Sequence, residues 1–256
     1  PKAKREAIYT LYAFVSHLDN IADMNIPTTE KQDLLKAWKI ELDNIYDKKV
    51  PQTHIGRKIY KNCMRFKIQK EDLKPILESV MLDCPKPIQA PSQEMFEKYC
   101  YGAAVIPVYI TLLIMGEMKE ASMRTLATNF GKAMEITNIL RNIKDDALKG
   151  HLYIPKELLE TAGISSTDPM AVVTDKNLTF AREKLAKEAT VCFAKAHKMI
   201  SASNKKTTRP LRFIFHIYKR YFDIMLARGL EVMSPKPQIK PTDKLMIAFN
   251  TVFDRM

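Results

Sequence analysis

Apolar residues recur at intervals of three and four along almost the whole chain, and no sustained run alternates with the period of two that a half-buried strand requires. Ile8, Leu11, Tyr12 and Val15 begin the first stripe, which predicts a helix over 4–24, stopped before Pro27. Thr28 or Thr29 is placed to cap a second helix carrying Leu34, Leu35, Trp38 and Leu42. A third helix starts after Pro51, and a fourth spans 71–82 and ends at the turn Cys84-Pro85-Lys86-Pro87. Ser92 opens a long apolar helix that reaches Met115, with Gly116 as its stop. Another runs over 121–147 and ends at Gly150. The stretch 151–168 reads as a loop holding one short helix after Pro155. Two long helices follow over 176–200 and 210–233, and a Pro-rich connection leads to a last one over 242–253. The short connections suit antiparallel neighbours. The pattern therefore predicts an all-α fold: one domain over 1–256, a bundle of about eight to ten helices around a central apolar cavity.

Composition narrows the setting. Seven glycines and 46% hydrophobic residues fit a helical protein with a real core. The four cysteines form no CxxC pair and no zinc-like spacing with the five histidines, so buried thiols in a reducing cytosol are expected. The charged start carries no signal-peptide pattern. The apolar run 103–115 is too short to span a bilayer, contains Pro107, and reads as a core helix. The expected location is cytoplasmic, at most resting on the inner face of the membrane.

The net charge of +12 is spread over helix surfaces and is not interleaved with aromatics as a nucleic-acid module would be, so nucleic acid is not an expected partner. The basic excess would instead assist peripheral contact with an anionic membrane. Leu245, Met246, Ile247, Phe249 and Phe253 of the last helix are candidates for that contact, although packing against the bundle is the expected use of this face.

Two polar helix faces carry the candidate chemistry. Asp19 and Asp23 are four apart, on one strip with Tyr12 and Ser16. Two like charges at this spacing destabilise a helix unless a cation lies between them, and Mg²⁺ takes one or two carboxylates while filling its octahedron with water and phosphate oxygen. Glu135, Asn138, Asn142, Asp145 and Asp146 form a second polar band, with Ile136, Ile139, Leu140 and Ile143 off it. Thr137 and Asn138 are indifferent helix formers in mid-helix, where a plain surface would favour Lys or Glu. Two such faces across a cavity would hold several Mg²⁺ ions bridging a diphosphate, which lowers the barrier to breaking an allylic C–O bond. Arg141 could take phosphate oxygens bidentately.

These residues resemble a known family. The run Ala7-Ile8-Tyr9-Thr10-Leu11-Tyr12-Ala13-Phe14 with the following DxxxD is similar to the first aspartate-rich motif of squalene/phytoene synthases. The run from Thr137-Asn138-Ile139-Leu140-Arg141 to Asp146, then Lys149-Gly150-His151-Leu152-Tyr153-Ile154-Pro155, resembles the second. Tyr99-Cys100-Tyr101-Gly102-Ala103 and Ile217-Tyr218 resemble further family positions, and the likeness covers almost the whole chain. Among subfamilies it is most similar to the bacterial presqualene diphosphate synthases.

The resemblance implies an isoprenoid synthase-like fold. It also implies a prenyltransferase that condenses two isoprenyl diphosphates, farnesyl by expectation, head to head with release of diphosphate. Mg²⁺ is the implied cofactor, with Mn²⁺ as the alternative. It would assign metal binding to Asp19, Asp23, Asn138 and Asp146, to which the polar band adds Glu135 and Asn142 as metal candidates, with Tyr12, Arg141 and Tyr218 as catalytic residues. Ser16, Tyr101, Ala104, Asn138 and Arg141 would contact substrate.

The departures are specific. The family usually has Arg at Ser16, Asp at Asn142 and Gln at Glu135. Glu135 and Asn142 are seven apart on one face, so Glu135 is expected to restore, two turns away, the carboxylate lost at Asn142. Val105, Ile106, Pro107 and Val108 are bulkier than the usual small residues there. Lys236 or Lys240 stands in for the basic residue expected before the last helix. The segment that usually precedes the first motif is expected to be missing. The alternatives are a diverged, weakly active or inactive relative serving as a scaffold, and a lipid-binding bundle without chemistry.

Overall fold

Proline and glycine punctuate the chain largely where the pattern predicts. A computed structural model describes residues 2–47, 49–84, 86–116 and 118–252. Pro85 and Phe253, both named above, lie outside the described residues. Among these, eleven helices occur: α1 (Lys2–Asp23), α2 (Thr28–Tyr46), α3 (His54–Phe66), α4 (Lys70–Asp83), α5 (Gln93–Met115) and α6 (Glu120–Leu148), then α7 (Lys156–Thr161), α8 (Pro169–Thr174), α9 (Leu178–Ser201), α10 (Arg209–Arg228) and α11 (Pro241–Val252). The only β pairing among the described residues is an isolated bridge between Gln89 and Leu152. The all-α expectation holds. The helix count exceeds it because α8, a six-residue helix capped by Asp168, leaves little periodic signal.

The chain falls into two compact units, one of Pro1–Pro87 with Lys98–Ala127 and one of Ile88–Glu97 with Thr128–Met256. In the first, α1 buries Ala7, Leu11, Phe14, Leu18 and Ile21 against α2, α3, α4 and the C-terminal part of α5. Phe14 and Trp38 meet with ring centroids 5.3 Å apart. Buried Glu41 holds the 51–53 turn by accepting hydrogen bonds from the backbone N–H groups of Gln52 (3.0 Å) and Thr53 (2.7 Å) and from the Thr53 hydroxyl (2.9 Å). A cavity of about 20 Å³ lies among Ala7, Leu11, Phe14, Ile59, Cys63 and Ile110. It has room for about one water and not for a ligand, which needs roughly 300 Å³ or more.

The apolar helix α5 is long and apolar enough to cross a membrane by length and composition, but 61% of its apolar window is buried. Its middle is a π turn, Tyr101–Val105, directly before Pro107. Proline lacks the N–H that would bond back along the helix and its ring crowds the carbonyl four residues earlier. One wider turn accommodates both. The bulky run Val105, Ile106 and Val108 packs into the core. Gly116 closes the helix at φ 68°.

In the second unit, Phe130, Phe193, Phe215 and Phe222 interlock α6, α9 and α10, with successive centroids 5.4, 5.7 and 5.2 Å apart. Residues after α6 are tied to 88–90 by Leu152 N–H to Ile88 O (2.7 Å) and Ala90 N–H to Leu152 O (2.9 Å).

Three details correct the sequence reading. The N-cap of α2 is Pro27, without a side-chain cap, and Thr28 is already helical. Helix α10 ends at Arg228, five residues before the expected 233, because Gly229 turns the chain at φ 86° with the Glu231 carboxylate folded over its Cα. The apolar face of α11 is not packed inward: Leu245, Met246, Phe249 and Val252 are exposed, while Asp243, Ile247 and Thr251 lie on the covered side.

Candidate functional site

Helix α1 buries the stripe 7/10/11/14/18/21, so its opposite strip must face outward, and that strip is Tyr12, Ser16, Asp19 and Asp23. Tyr12 is 68% exposed. Asp19 is open at its surface yet has enough protein around it that its carboxyl is pushed up to about 6, first by desolvation and then by the neighbouring Asp23. A carboxylate in this situation gains from a cation. In the same unit Tyr101 is 42% exposed at the start of the π turn, whereas Ala104 is buried.

In the second unit, α6 carries Glu135, Asn138, Asn142 and Asp146. Asn138, Asn142 and Asp146 follow one another at intervals of four, and Glu135 is buried one turn before Asn138. The Asn142 Oδ1 atom is buried with no hydrogen-bond partner. A buried acceptor left this way costs about 1–3 kcal/mol, and a hard cation is a suitable partner for it. Burial also raises Asp146 to about 6, against the lowering influence of His151, Lys236 and Lys149. The adjacent Asp145 behaves oppositely. Lys236 donates to its Oδ2 at 2.9 Å and holds its carboxyl below the ordinary range. One residue of helix rotation thus separates a solvent-side ion pair from a half-buried carboxylate.

Arg141 lies between these groups in sequence and is held from two directions. Its guanidinium stacks 4.2 Å over the Tyr221 ring, and its Nε donates to the Pro237 carbonyl at 3.2 Å. The two Nη groups make no hydrogen bond to a described residue. A planar donor pair held in one orientation suits bidentate contact with phosphate oxygens. Tyr218, half-buried on α10, sits one turn before Tyr221. Behind α6, Arg182 is 2% exposed and donates to the Leu140 carbonyl at 3.1 Å. Desolvation takes this guanidinium down to about 10.

Sequence reasoning missed Tyr221, Pro237 and Arg182. Each reaches α6 from a residue at least 42 positions away, and no local pattern announces such a contact. Of the two lysines considered, Lys236 is the one placed beside the acidic end of α6. Lys240 is exposed.

No group of three or more His, Cys, Asp or Glu side chains comes together among the described residues. The oxygen donors are carboxylates and amides, a set that suits Mg²⁺ with water or phosphate completing the shell. The model for squalene/phytoene synthases matches residues 1–243. The chain belongs to the squalene/phytoene synthase family. Within this family, a presqualene diphosphate synthase of Sinorhizobium fredii is 30% identical over 243 residues, covering 95% of this chain and 85% of the relative. One of Rhodopseudomonas palustris is 30% identical over 241 residues, covering 94% and 84%. The fold matches that of a dehydrosqualene synthase solved with a ligand, at a TM-score of 0.83 and 22% identity, covering 100% of this chain and 88% of that one.

Proposed function

We propose that the protein is a Mg²⁺-dependent prenyltransferase that joins two isoprenyl diphosphates, farnesyl in the first instance, head to head to a presqualene-type product and releases diphosphate. Membership of the family and the two presqualene diphosphate synthases support the reaction class. The observation that carries the metal half is the buried, unpartnered Asn142 Oδ1 one turn from a carboxylate raised to about 6.

In this reading Asp19 and Asp23 on α1, and Asn138, Asn142 and Asp146 on α6, hold Mg²⁺, with Mn²⁺ as a substitute. Glu135 adds negative charge farther along α6. The ion, when bound, supplies charge neutralisation for the departing diphosphate. Arg141, stacked on Tyr221 and anchored to Pro237, orients phosphate oxygens through its Nη groups. Tyr12 offers a hydroxyl on the α1 strip. Tyr218 would lend an aromatic ring to stabilise a developing carbocation without a nucleophile. Tyr101 and Ala104 belong to the segment that would contact the prenyl chain. Ser16 cannot supply the cationic contact that Arg gives elsewhere in the family.

The test is incubation of the protein with farnesyl diphosphate and Mg²⁺ followed by mass spectrometry. A C30 diphosphate is expected. A folded protein that yields none, with Mg²⁺ or Mn²⁺, would be a diverged relative and would overturn the proposal.

A pH dependence follows. In the cation-free protein Asp19 and Asp146 each bind a proton more tightly than an ordinary carboxyl, so each is ionised at pH 7.5 and mostly protonated at pH 5. Mg²⁺ affinity measured by calorimetry should therefore fall across this window, by roughly tenfold for each carboxylate that holds the ion. An affinity that stays flat from pH 7.5 to 5 would remove both from the metal face.

A further inference from the structure

Arg182 on α9 is buried and directs one guanidinium nitrogen, Nη2, to the Leu140 carbonyl of α6 at 3.1 Å. That carbonyl belongs to the residue just before Arg141. The other two nitrogens, Nε and Nη1, are buried with no hydrogen-bond partner among the described residues. Two charges act on this guanidinium from the turn that ends α10: Glu231 favours it and Arg228 opposes it. The Glu231 carboxylate folds back over the Gly229 Cα, and Arg228 Nη2 is itself buried without a partner. A cation buried with unmet donors lowers stability, and an apolar side chain of similar volume would avoid that cost, so packing alone does not account for an arginine here. Glu231 also stands at the start of the connection 229–240, which returns to α6 at two points. Lys236 donates to Asp145 at 2.9 Å, and the Pro237 carbonyl accepts from Arg141 Nε at 3.2 Å.

We propose that Arg182 is a positioning residue for Arg141. It holds the α6 backbone from behind through Leu140, and its charge holds Glu231 and with it the start of 229–240. The Pro237 carbonyl then stays in place for Arg141 Nε, and the two Nη groups of Arg141 keep their plane. Arg182 acts through Arg141 alone and does not itself bind substrate. The inference rests on the reading of Arg141 as a diphosphate contact.

The experiment is calorimetric titration of the full chain with inorganic pyrophosphate in the presence of Mg²⁺, with kcat and KM for farnesyl diphosphate measured beside it. Arg182→Gln is expected to weaken pyrophosphate binding about tenfold and to raise KM more than it lowers kcat. Loss of folded protein alone would lower kcat and leave KM unchanged. Arg182→Lys keeps the charge and should lie within about threefold of the wild type. Glu231 is exposed, so Glu231→Gln should fold normally and weaken binding about threefold. In the Arg141→Gln background neither change should weaken binding further, since each acts through the contact already removed. Should Arg182→Gln not fold, the same comparison with Glu231→Gln decides the matter. A loss that persists in the Arg141→Gln background, or wild-type affinity in Arg182→Gln and Glu231→Gln, would overturn this inference alone. Wild-type pyrophosphate affinity in Arg141→Gln would overturn the reading of Arg141 and this inference with it.

Discussion

Asp146→Asn is expected to lower kcat/KM for farnesyl diphosphate by about 10²-fold or more, the loss typical when a charge stabiliser aimed at the reacting group is removed. The amide keeps the shape of the carboxyl and loses its charge. The variant should not lose stability. Burial raises the Asp146 carboxyl to about 6, so the native state binds its proton more tightly than the unfolded chain does. The ionised form therefore carries a cost that is absent well below pH 4, develops as pH rises through 6, and is complete at neutral pH. A neutral amide removes that cost. At pH 7.5 and without Mg²⁺, Asp146→Asn should match or exceed the wild type, by about 1 kcal/mol once partial exposure is allowed for.

The neighbour serves as control. Asp145 is paired with Lys236 near the surface, and Asp145→Asn should change kcat/KM only a few-fold. Product release measured for both variants, with thermal unfolding beside it, checks the pair. Equal and small effects would mean that the half-buried carboxylate does no chemistry.

Gly102→Ala should cost at least about 3 kcal/mol, at the upper end for overpacking a filled core. A Cβ at this position would lie 2.1 Å from the Pro75 carbonyl oxygen, 2.7 Å from Ser79 Cβ and 2.8 Å from Ser79 Oγ. Helix α4 passes directly over the π turn of α5, and the nearest obstacle is backbone, which no rotamer change relieves. The thermal midpoint should fall by roughly 6–12 °C. Adding Ser79→Gly should recover little, since the Pro75 carbonyl remains. Gly116→Ala tests a different cause. Its Cβ has open space, with nothing nearer than 3.7 Å, but φ is 68°, and the left-handed backbone alone should cost about 1 kcal/mol. Equal losses at the two glycines would mean that the close approach of α4 and α5 does not limit stability.

The helices and their order were legible because burial on one side of a helix imposes a period near 3.6 that survives in the composition of each segment. The stripe of α1 predicts both its core face and, by exclusion, the outward strip that carries Asp19 and Asp23. The second polar band on α6 was legible for the same reason. Pro107 marked a disturbance in α5 but not its form, since a kink, a break and a π turn all accommodate a proline. Gly229 ended α10 early although the apolar pattern continues past it.

By itself the sequence determined the helical class, the element order, the polar faces of α1 and α6 and the family, because these depend on residue type at fixed spacing. Tertiary structure decided which groups are charged, held or exposed. Asp145 and Asp146 look equivalent in the chain, and it is Lys236, ninety-one residues from Asp145, together with the desolvation of Asp146, that separates an ion pair from a half-buried acid. Arg141 is one more basic residue until Tyr221 and the Pro237 carbonyl set its plane. The apolar residues of α11 could have faced either way, and the structure leaves Leu245, Met246, Phe249 and Val252 exposed while Arg220 pairs with Asp243 on the other side. In each case the deciding term is a contact or a loss of solvent made by distant chain, which residue spacing does not encode.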